Sequence, residues 1–200
     1  NTVTKNNGVV ASLENSQINE GEYAVGDKYY SIENLTGSKY DDKLYGDSGK
    51  NTLTGGDGID TLIGGAGADS LNGAGGSGSA DTNNYASYET STAVRASLAH
   101  TITNGVDNFN TGDAEGDIYN NIRHLIGSSK SDYLQGDGKA NNLLGGAGDD
   151  TLEGGVGADA LDGGDGIDIV SYANIVAADG LLQVNLGNPD DVTWGNKNNA

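Results

Sequence analysis

Leucines recur along this chain at a spacing that a continuous strand would not choose. Leu35, Leu44, Leu53, Leu62 and Leu71 stand nine residues apart, and the spacing returns at Leu125, Leu134, Leu143, Leu152 and Leu161, with Val170 in the next place. Between them the chain is polar and rich in glycine. Gly55-Gly56-Asp57-Gly58-Ile59-Asp60-Thr61-Leu62-Ile63 runs directly into Gly64-Gly65-Ala66-Gly67-Ala68-Asp69-Ser70-Leu71-Asn72. A strand turns alternate residues to alternate faces, so an odd period would send successive leucines to opposite sides, and glycine interrupts strands in any case. The pattern predicts a six-residue turn, G-G-x-G-x-D, followed by a three-residue strand, x-Leu-x, whose leucine points inward. Successive strands would alternate between two parallel sheets, and two nonapeptides would complete one coil of a flattened solenoid. Glycine supplies the positive φ and the close backbone approach that such turns need.

A longer period lies over the short one. Residues 26–73 shifted by 90 fall on 116–163 with more than half of the positions identical, including Gly26-Asp27 on Gly116-Asp117 and Ile32 on Ile122. Three joining segments also correspond: Val9-x-Ala11-x-Leu13, Val94-x-Ala96-x-Leu98 and Leu182-x-Val184-x-Leu186. Their alternation reads as short, half-buried strands. The organisation predicted is a joining segment plus a first roll in residues 1–92 (nonapeptides about 37–81), the same in 93–177 (nonapeptides about 127–171), and the start of a third unit in 178–200. A repeat entering its third copy implies a longer tandem array.

Charge changes the picture next. With 29 acidic residues against 10 basic, the formal net charge is −19, which excludes the positive footprint of a nucleic-acid binder and disfavours an anionic membrane surface. No apolar run approaches the roughly 18–20 residues that cross a bilayer. The chain has no cysteine, hence neither disulfides nor thiolate metal sites. Composition leaves two readings, a self-repelling disordered chain or one that folds once cations neutralise it. Residue order favours the second. Asp42, Asn51, Asp60 and Asp69, then Asp132, Asn141, Asp150, Asp159 and Asp168, each close a turn two residues before a ladder position, so stacking would align them down the edges of the solenoid. One leucine per nine residues is a thin core for a backbone that is costly to order, and aligned carboxylates repel. Carboxylates and turn carbonyls without thiols or a histidine cluster are the donors of a hard divalent cation, and irregular turns suit calcium better than magnesium. Binding energy at such sites becomes folding energy, with an unfolded metal-free state and a folded metal-bound one.

The nonapeptides resemble the GGxGxDxUx repeats of the RTX (repeats-in-toxin) proteins, closely so over residues 37–72 and 127–171. The resemblance implies an all-β fold, a parallel β-roll or calcium-bound β-solenoid, here two rolls joined by strand-containing segments, with each Ca2+ between turns one coil apart. Carried onto this sequence, it pairs Asp42 with Asp60, Asn51 with Asp69, Asp132 with Asp150, Asn141 with Asp159, and Asp150 with Asp168. Carbonyls of Gly55, Gly56 and Gly58, of Gly64, Gly65 and Gly67, of Gly145, Gly146 and Gly148, of Gly154, Gly155 and Gly157, and of Gly163, Gly164 and Gly166 would complete the shells. About five or six ions, roughly one per stacked pair of turns, would offset over half of the excess charge. It also implies an extracellular protein, secreted or attached to the cell surface, that leaves by type I secretion. Its partners would be calcium, the secretion machinery and neighbouring repeat units of the same chain, without nucleic acid and without membrane insertion.

Several positions depart from the repeat. Gly37–Asp42 and Gly127–Asp132 have each lost two glycines and read as opening turns. Asn51 and Asn141 replace a carboxylate by an amide, with lower cation affinity expected there. After Gly73 the register breaks for six residues, and Asp81 is the candidate partner of Asp60 beyond the break. Gly73-x-Gly75-x-x-Gly78 and Gly46–Lys50 imitate phosphate-binding loops but lack the required strand, helix or spacing. His100 and His124 read as solvated, and Asn34-Leu35-Thr36 as a chance sequon, since Leu35 belongs to the ladder. Glu20, Glu22 and Asp27, with Asp113, Glu115 and Asp117, read as solvated loops, with a further calcium site as the alternative. Tyr88 and Tyr172 are expected to cap the exposed ends of the leucine ladder, and Trp194 to pack or do nothing. No catalytic dyad is present, so the expectation is a non-enzymatic structural or extender module of a surface adhesin. The alternatives are the C-terminal RTX module of a secreted protease, lipase or alginate epimerase, and a carbohydrate- or ice-binding face, for which Thr52, Thr61 and Thr151 form too short a row.

Overall fold

A computed structural model describes residues 8–20, 23–74, 83–100 and 109–173. Its strands are β1 (Val10–Ser12), β2 (Asn34–Thr36), β3 (Lys43–Tyr45), β4 (Thr52–Gly56), β5 (Thr61–Ile63), β6 (Ser70–Ala74), β7 (Asn84–Ser87), β8 (Arg95–Ser97), β9 (Ile118–Asn120), β10 (Ile122–Ile126), β11 (Tyr133–Gln135), β12 (Asn142–Ala147), β13 (Thr151–Glu153), β14 (Ala160–Asp165) and β15 (Ile169–Val170). The ladder pairings between them are parallel, each strand beside the one a coil away, as in β3–β5 with Leu44 opposite Leu62 and β4–β6 with Leu53 opposite Leu71. The fold is the all-β parallel roll that the nine-residue period predicts. β3, β5, β11 and β13 are the three-residue strands expected. β4, β6, β12 and β14 run on into the glycines of the following turn, where Gly56 pairs with Ala74 and Gly146 with Gly164, because backbone without side chains can stack that closely.

The two blocks form one stack. A seven-stranded sheet runs β1-β3-β5-β7-β10-β12-β14 through both, while the facing wall consists of two four-stranded sheets, β2-β4-β6-β9 and β15-β13-β11-β8. The joining segments supply the strands that make this possible. β1 begins the first block and β8 the second, and β9 and β10 lay the second block onto β6 and β7 of the first. Strands β3 and β5 of the first block correspond, 90 residues on, to β11 and β13, yet β11 and β13 lie in the opposite wall. The second block is therefore turned over relative to the first.

A single apolar core threads the stack. Leu44, Leu53, Leu62, Leu71, Leu125, Leu134, Leu143 and Leu152 are fully buried, each contributing about 1.5–3 kcal/mol. Leu35 and Leu161 are only partly covered. At the junction the ladder positions fall to Ala86 and Ala96, and Tyr88 and Ile122 fill the space.

Candidate metal centres in the turns

Each strand leaves its sixth turn residue directly above the same residue one coil on, and a hydrogen bond links them. The backbone N–H of Asp42 donates to Asp60 Oδ1 (2.9 Å), that of Asn51 to Asp69 Oδ1 (2.7 Å) and that of Asp132 to Asp150 Oδ1 (2.8 Å). The N–H of Asn141 donates to Asp159 Oδ1 (2.9 Å), and that of Asp150 to Asp168 Oδ1 (3.0 Å). All five pairs expected from the sequence are thus brought together. Such a ladder fixes one carboxylate oxygen of every member and leaves the other to find its own partner.

In two of the double-glycine turns, those closed by Asp69 and Asp150, that second oxygen is buried with nothing to bond it. Asp69 Oδ2 and Asp150 Oδ2 are out of solvent and accept no hydrogen bond. Burial pushes the Asp69 carboxyl up to about 6 and raises that of Asp150, despite the N–H that each accepts. A buried charge without a partner costs several kcal/mol unless it is protonated or met by a cation. The first glycine of the turn keeps the space beside this oxygen open: a Cβ on Gly145 would be driven into Asp150 Oδ2 and into the carbonyl oxygen of Gly163, one coil on. The glycines at the second and fourth turn positions serve the backbone instead, with φ of 114° at Gly146 and 125° at Gly148. A carboxylate oxygen and a carbonyl oxygen from successive coils thus converge on a point with room for no side chain. Among the described residues no three Asp, Glu, His or Cys side chains group into a metal cluster, so carbonyls must supply much of any shell. That donor set fits Ca2+.

The RTX calcium-binding nonapeptide repeat family matches the chain in four copies, over residues 30–62, 45–79 and 135–170. The turns within those residues are RTX calcium-binding repeats. No curated protein matches the chain.

The RTX turns fall into two kinds that the sequence only half separates. In the opening coil of each block the sixth-position side chain is fully bonded by protein groups. Asp132 Oδ1 accepts from the N–H of Val94 (2.7 Å) and Ser128 Oγ (3.1 Å), and its Oδ2 from the N–H of Ser128 (2.6 Å). Asp42 repeats this with Val9 and Ser38. Asn141 Oδ1 accepts from the N–H of Asp137, while its Nδ2 donates to the Arg123 carbonyl (2.8 Å) and to Asp137 Oδ1 (3.1 Å). Asn51 does the same with Asp47 and Glu33. Asparagine is required there because a carboxylate would face a carbonyl and another carboxylate. The loss of glycine at Ser38, Asp47, Ser128 and Asp137 installs the side chains that make these bonds, and Gly46–Lys50 is such a turn, not a phosphate loop.

Two ladder members escaped the nonapeptide pattern. The N–H of Asp60 donates to Asn84 Oδ1 (2.8 Å), so Asn84 takes the place next to Asp60, and Asp81 lies outside the described residues. The offset of six residues between Gly73–Tyr88 and Gly163–Tyr172 puts Asn84 level with Asp168, a signal that the preference for an acid overrode. The N–H of Asp69 likewise donates to Asp117 Oδ1 (2.9 Å), which brings the Gly112–Asp117 loop into the ladder as one more turn. Asp117 is no solvated loop residue: it is buried, it accepts from the Tyr88 hydroxyl (2.8 Å), and burial pushes its carboxyl up to about 8. Tyr88, also bonded to the Tyr119 hydroxyl, caps no exposed end; it is 1% exposed and pins the two blocks together. His124 is not solvated either. It is half-buried in β10, its Nδ1 accepts from the N–H of Asn142 (2.9 Å), its ring lies 4.6 Å from that of Tyr85, and burial lowers its pKa. Glu22, Gly75, Gly78, Trp194 and the start of the third unit lie outside the described residues. No described helix is long and apolar enough to cross a membrane.

Proposed function

We propose that this chain is a non-catalytic, calcium-folded structural module of a secreted protein, an extender segment of a bacterial cell-surface adhesin. The observation that carries the calcium dependence is the pair of buried, unbonded carboxylate oxygens at Asp69 and Asp150 inside the double-glycine turns. Without a cation they oppose the fold; with one they join successive coils. Asp42, Asn51, Asp60, Asp69, Asp132, Asn141, Asp150, Asp159 and Asp168, with the turn glycine carbonyls, are the groups that would hold about five or six ions, roughly one per stacked pair of turns. Such coupling keeps the chain extended where calcium is scarce, as export through a narrow channel of the type I machinery requires, and folds it outside, where calcium is abundant. The extender role is supported by the end-on stacking of the two blocks in one sheet, since each added unit lengthens the same rod.

Far-UV circular dichroism tests the reading. In excess chelator the β signal should vanish, and millimolar calcium should restore it while equimolar magnesium restores far less. An unchanged spectrum in chelator contradicts the calcium-folding module.

A further inference from the structure

The joining loop between the blocks brings a carboxylate to a turn position that the repeat gives to glycine. Gly112–Asp117 stacks on the double-glycine turn Gly64–Asp69 as its next coil. The N–H of Asp69 donates to Asp117 Oδ1 (2.9 Å), and a Cβ on Gly116 would run into the side chain of Ala68. This loop lies outside the residues that the RTX family matches. Counted as a turn, it carries Asp113 where Gly64–Asp69 has its second glycine, Gly65. Asp113 is half-buried, and Ser91 Oγ donates to its Oδ2 (2.5 Å). Its charge raises the carboxyls of both Asp69 and Asp117, after burial, so it stands near both.

Nothing in the turn itself calls for this acid. Asp47 and Asp137 hold the same position in the opening coils, but there the Nδ2 of Asn51 or Asn141 bonds the carboxylate (3.3 and 3.1 Å). The sixth residue of the loop is Asp117, a carboxylate with no such N–H to give, and both of its oxygens are taken, by the N–H of Asp69 and by the Tyr88 hydroxyl. The shape of the loop does not depend on Asp113 either. In the first joining segment the corresponding residue is Tyr23, yet the N–H of Asp27 donates to the Ala24 carbonyl (3.1 Å) as that of Asp117 does to Ala114 (3.2 Å).

Beneath the loop lies an oxygen without a partner. Asp69 is 1% exposed; its Oδ1 takes the N–H of Asn51, on the coil before, and its Oδ2 takes nothing. In the matching turn of the second block, a Cβ on Gly145 would meet both Asp150 Oδ2 and the Gly163 carbonyl oxygen of the next coil, and one on Gly64 would meet Asp69 Oδ2 in the same way. The unbonded oxygen of Asp69 therefore faces the coil that follows, and that coil is the loop. Gly112, in the place of Gly163, gives its carbonyl oxygen to the N–H of Glu115 (3.1 Å). The donor that a repeat turn would offer is engaged here, and Asp113 is the next residue.

We propose that Asp113 and Asp69 Oδ2 hold a Ca2+ ion at the junction, in a site built half from the last repeat turn of the first block and half from a loop that is no repeat. The inference rests on the calcium-folding reading and adds to it an ion that rivets one block to the next. Carboxylate oxygens with turn carbonyls are a calcium donor set, and a cation between them removes the cost of a buried carboxylate left unpaired.

Native mass spectrometry of the full chain in calcium counts the ions. D113A should carry one Ca2+ fewer than the parent, and so should D113Y, which installs the residue that the first joining segment has in this place. E115Q, which neutralises an exposed acid of the same loop, should carry the full number. Both Asp113 variants should keep the parent's β circular dichroism in millimolar calcium. An unchanged ion count in D113A and D113Y, or the same loss in E115Q, overturns the junction site, and so does a β signal lost in both Asp113 variants. A parent chain that binds no calcium at all counts against the calcium-folding module itself and removes the junction site with it.

Discussion

The opening turn Gly127–Asp132 and the double-glycine turn Gly145–Asp150 stand one above the other, close with the same aspartate, and share the same ladder hydrogen bond. They differ in what happens to the remaining carboxylate oxygen. Ser128 bonds it in the first through its N–H; nothing bonds it in the second. The first turn is stabilised by its own side chains, at the cost of glycines that would have left room for an ion. The second keeps three glycines and a buried, unbonded oxygen, and depends on something outside the chain. Each block thus begins with a coil that needs calcium least and continues with coils that need it most, an order suited to a fold that starts at one point and propagates.

The largest effect should come from filling the space beside that oxygen. G145A puts a methyl group against Asp150 and Gly163, and the calcium midpoint for folding should rise tenfold or more, tenfold being about 1.4 kcal/mol. G138A, in an opening turn where a Cβ meets nothing within 4 Å, should move it less than twofold. The exchange of side chains should be asymmetric as well. D150N removes the charge that calcium meets, and about a tenfold rise in the midpoint is expected. N141D restores the consensus acid, yet should destabilise by about 1–3 kcal/mol, because the bonds from Nδ2 to the Arg123 carbonyl and Asp137 are lost. Calorimetric titration measures both, and tighter binding by N141D would erase the distinction between the two kinds of turn.

Acid should partly replace calcium. The carboxyls of Asp69 and Asp117 are pushed up to about 6 and about 8 in the fold, so between pH 4 and 8 the folded chain holds more protons than the unfolded one. Stability of the metal-free fold then rises as pH falls through this window and is lost as pH climbs back through the folded values. In chelator, β structure should recover in part at pH 5 and disappear at pH 8; in calcium the trend reverses, since protons compete with the ion. The smallest effect is expected from S128A. It removes the Oγ that bonds Asp132 Oδ1 and receives the N–H of Lys130, costing about 1 kcal/mol in urea unfolding at any calcium level that folds the chain.

The period of nine made the strands and the leucine ladder legible, because each follows from local spacing alone, and the five ladder pairs came from the resemblance to RTX repeats. The missing glycines at Ser38 and Ser128 were visible too, and they mark opening turns. What they gain is a set of hydrogen bonds across the turn, and only geometry shows those. Asn84 was within reach: its register was right and its charge was not, and register decides a place in a stack. The half-turn between blocks was out of reach. It rests on Tyr88 and Asp117, 29 residues apart in different repeat units, meeting under Tyr119, a contact no periodicity encodes.

The central claim is that the unbonded oxygens of the double-glycine turns are where calcium binds. Anomalous diffraction from crystals grown in calcium tests it directly. The account predicts an ion about 2.3–2.6 Å from Asp150 Oδ2, shared with carbonyl oxygens of the Gly163–Asp168 turn. Fully folded crystals with no ion at Asp150 Oδ2 would contradict it.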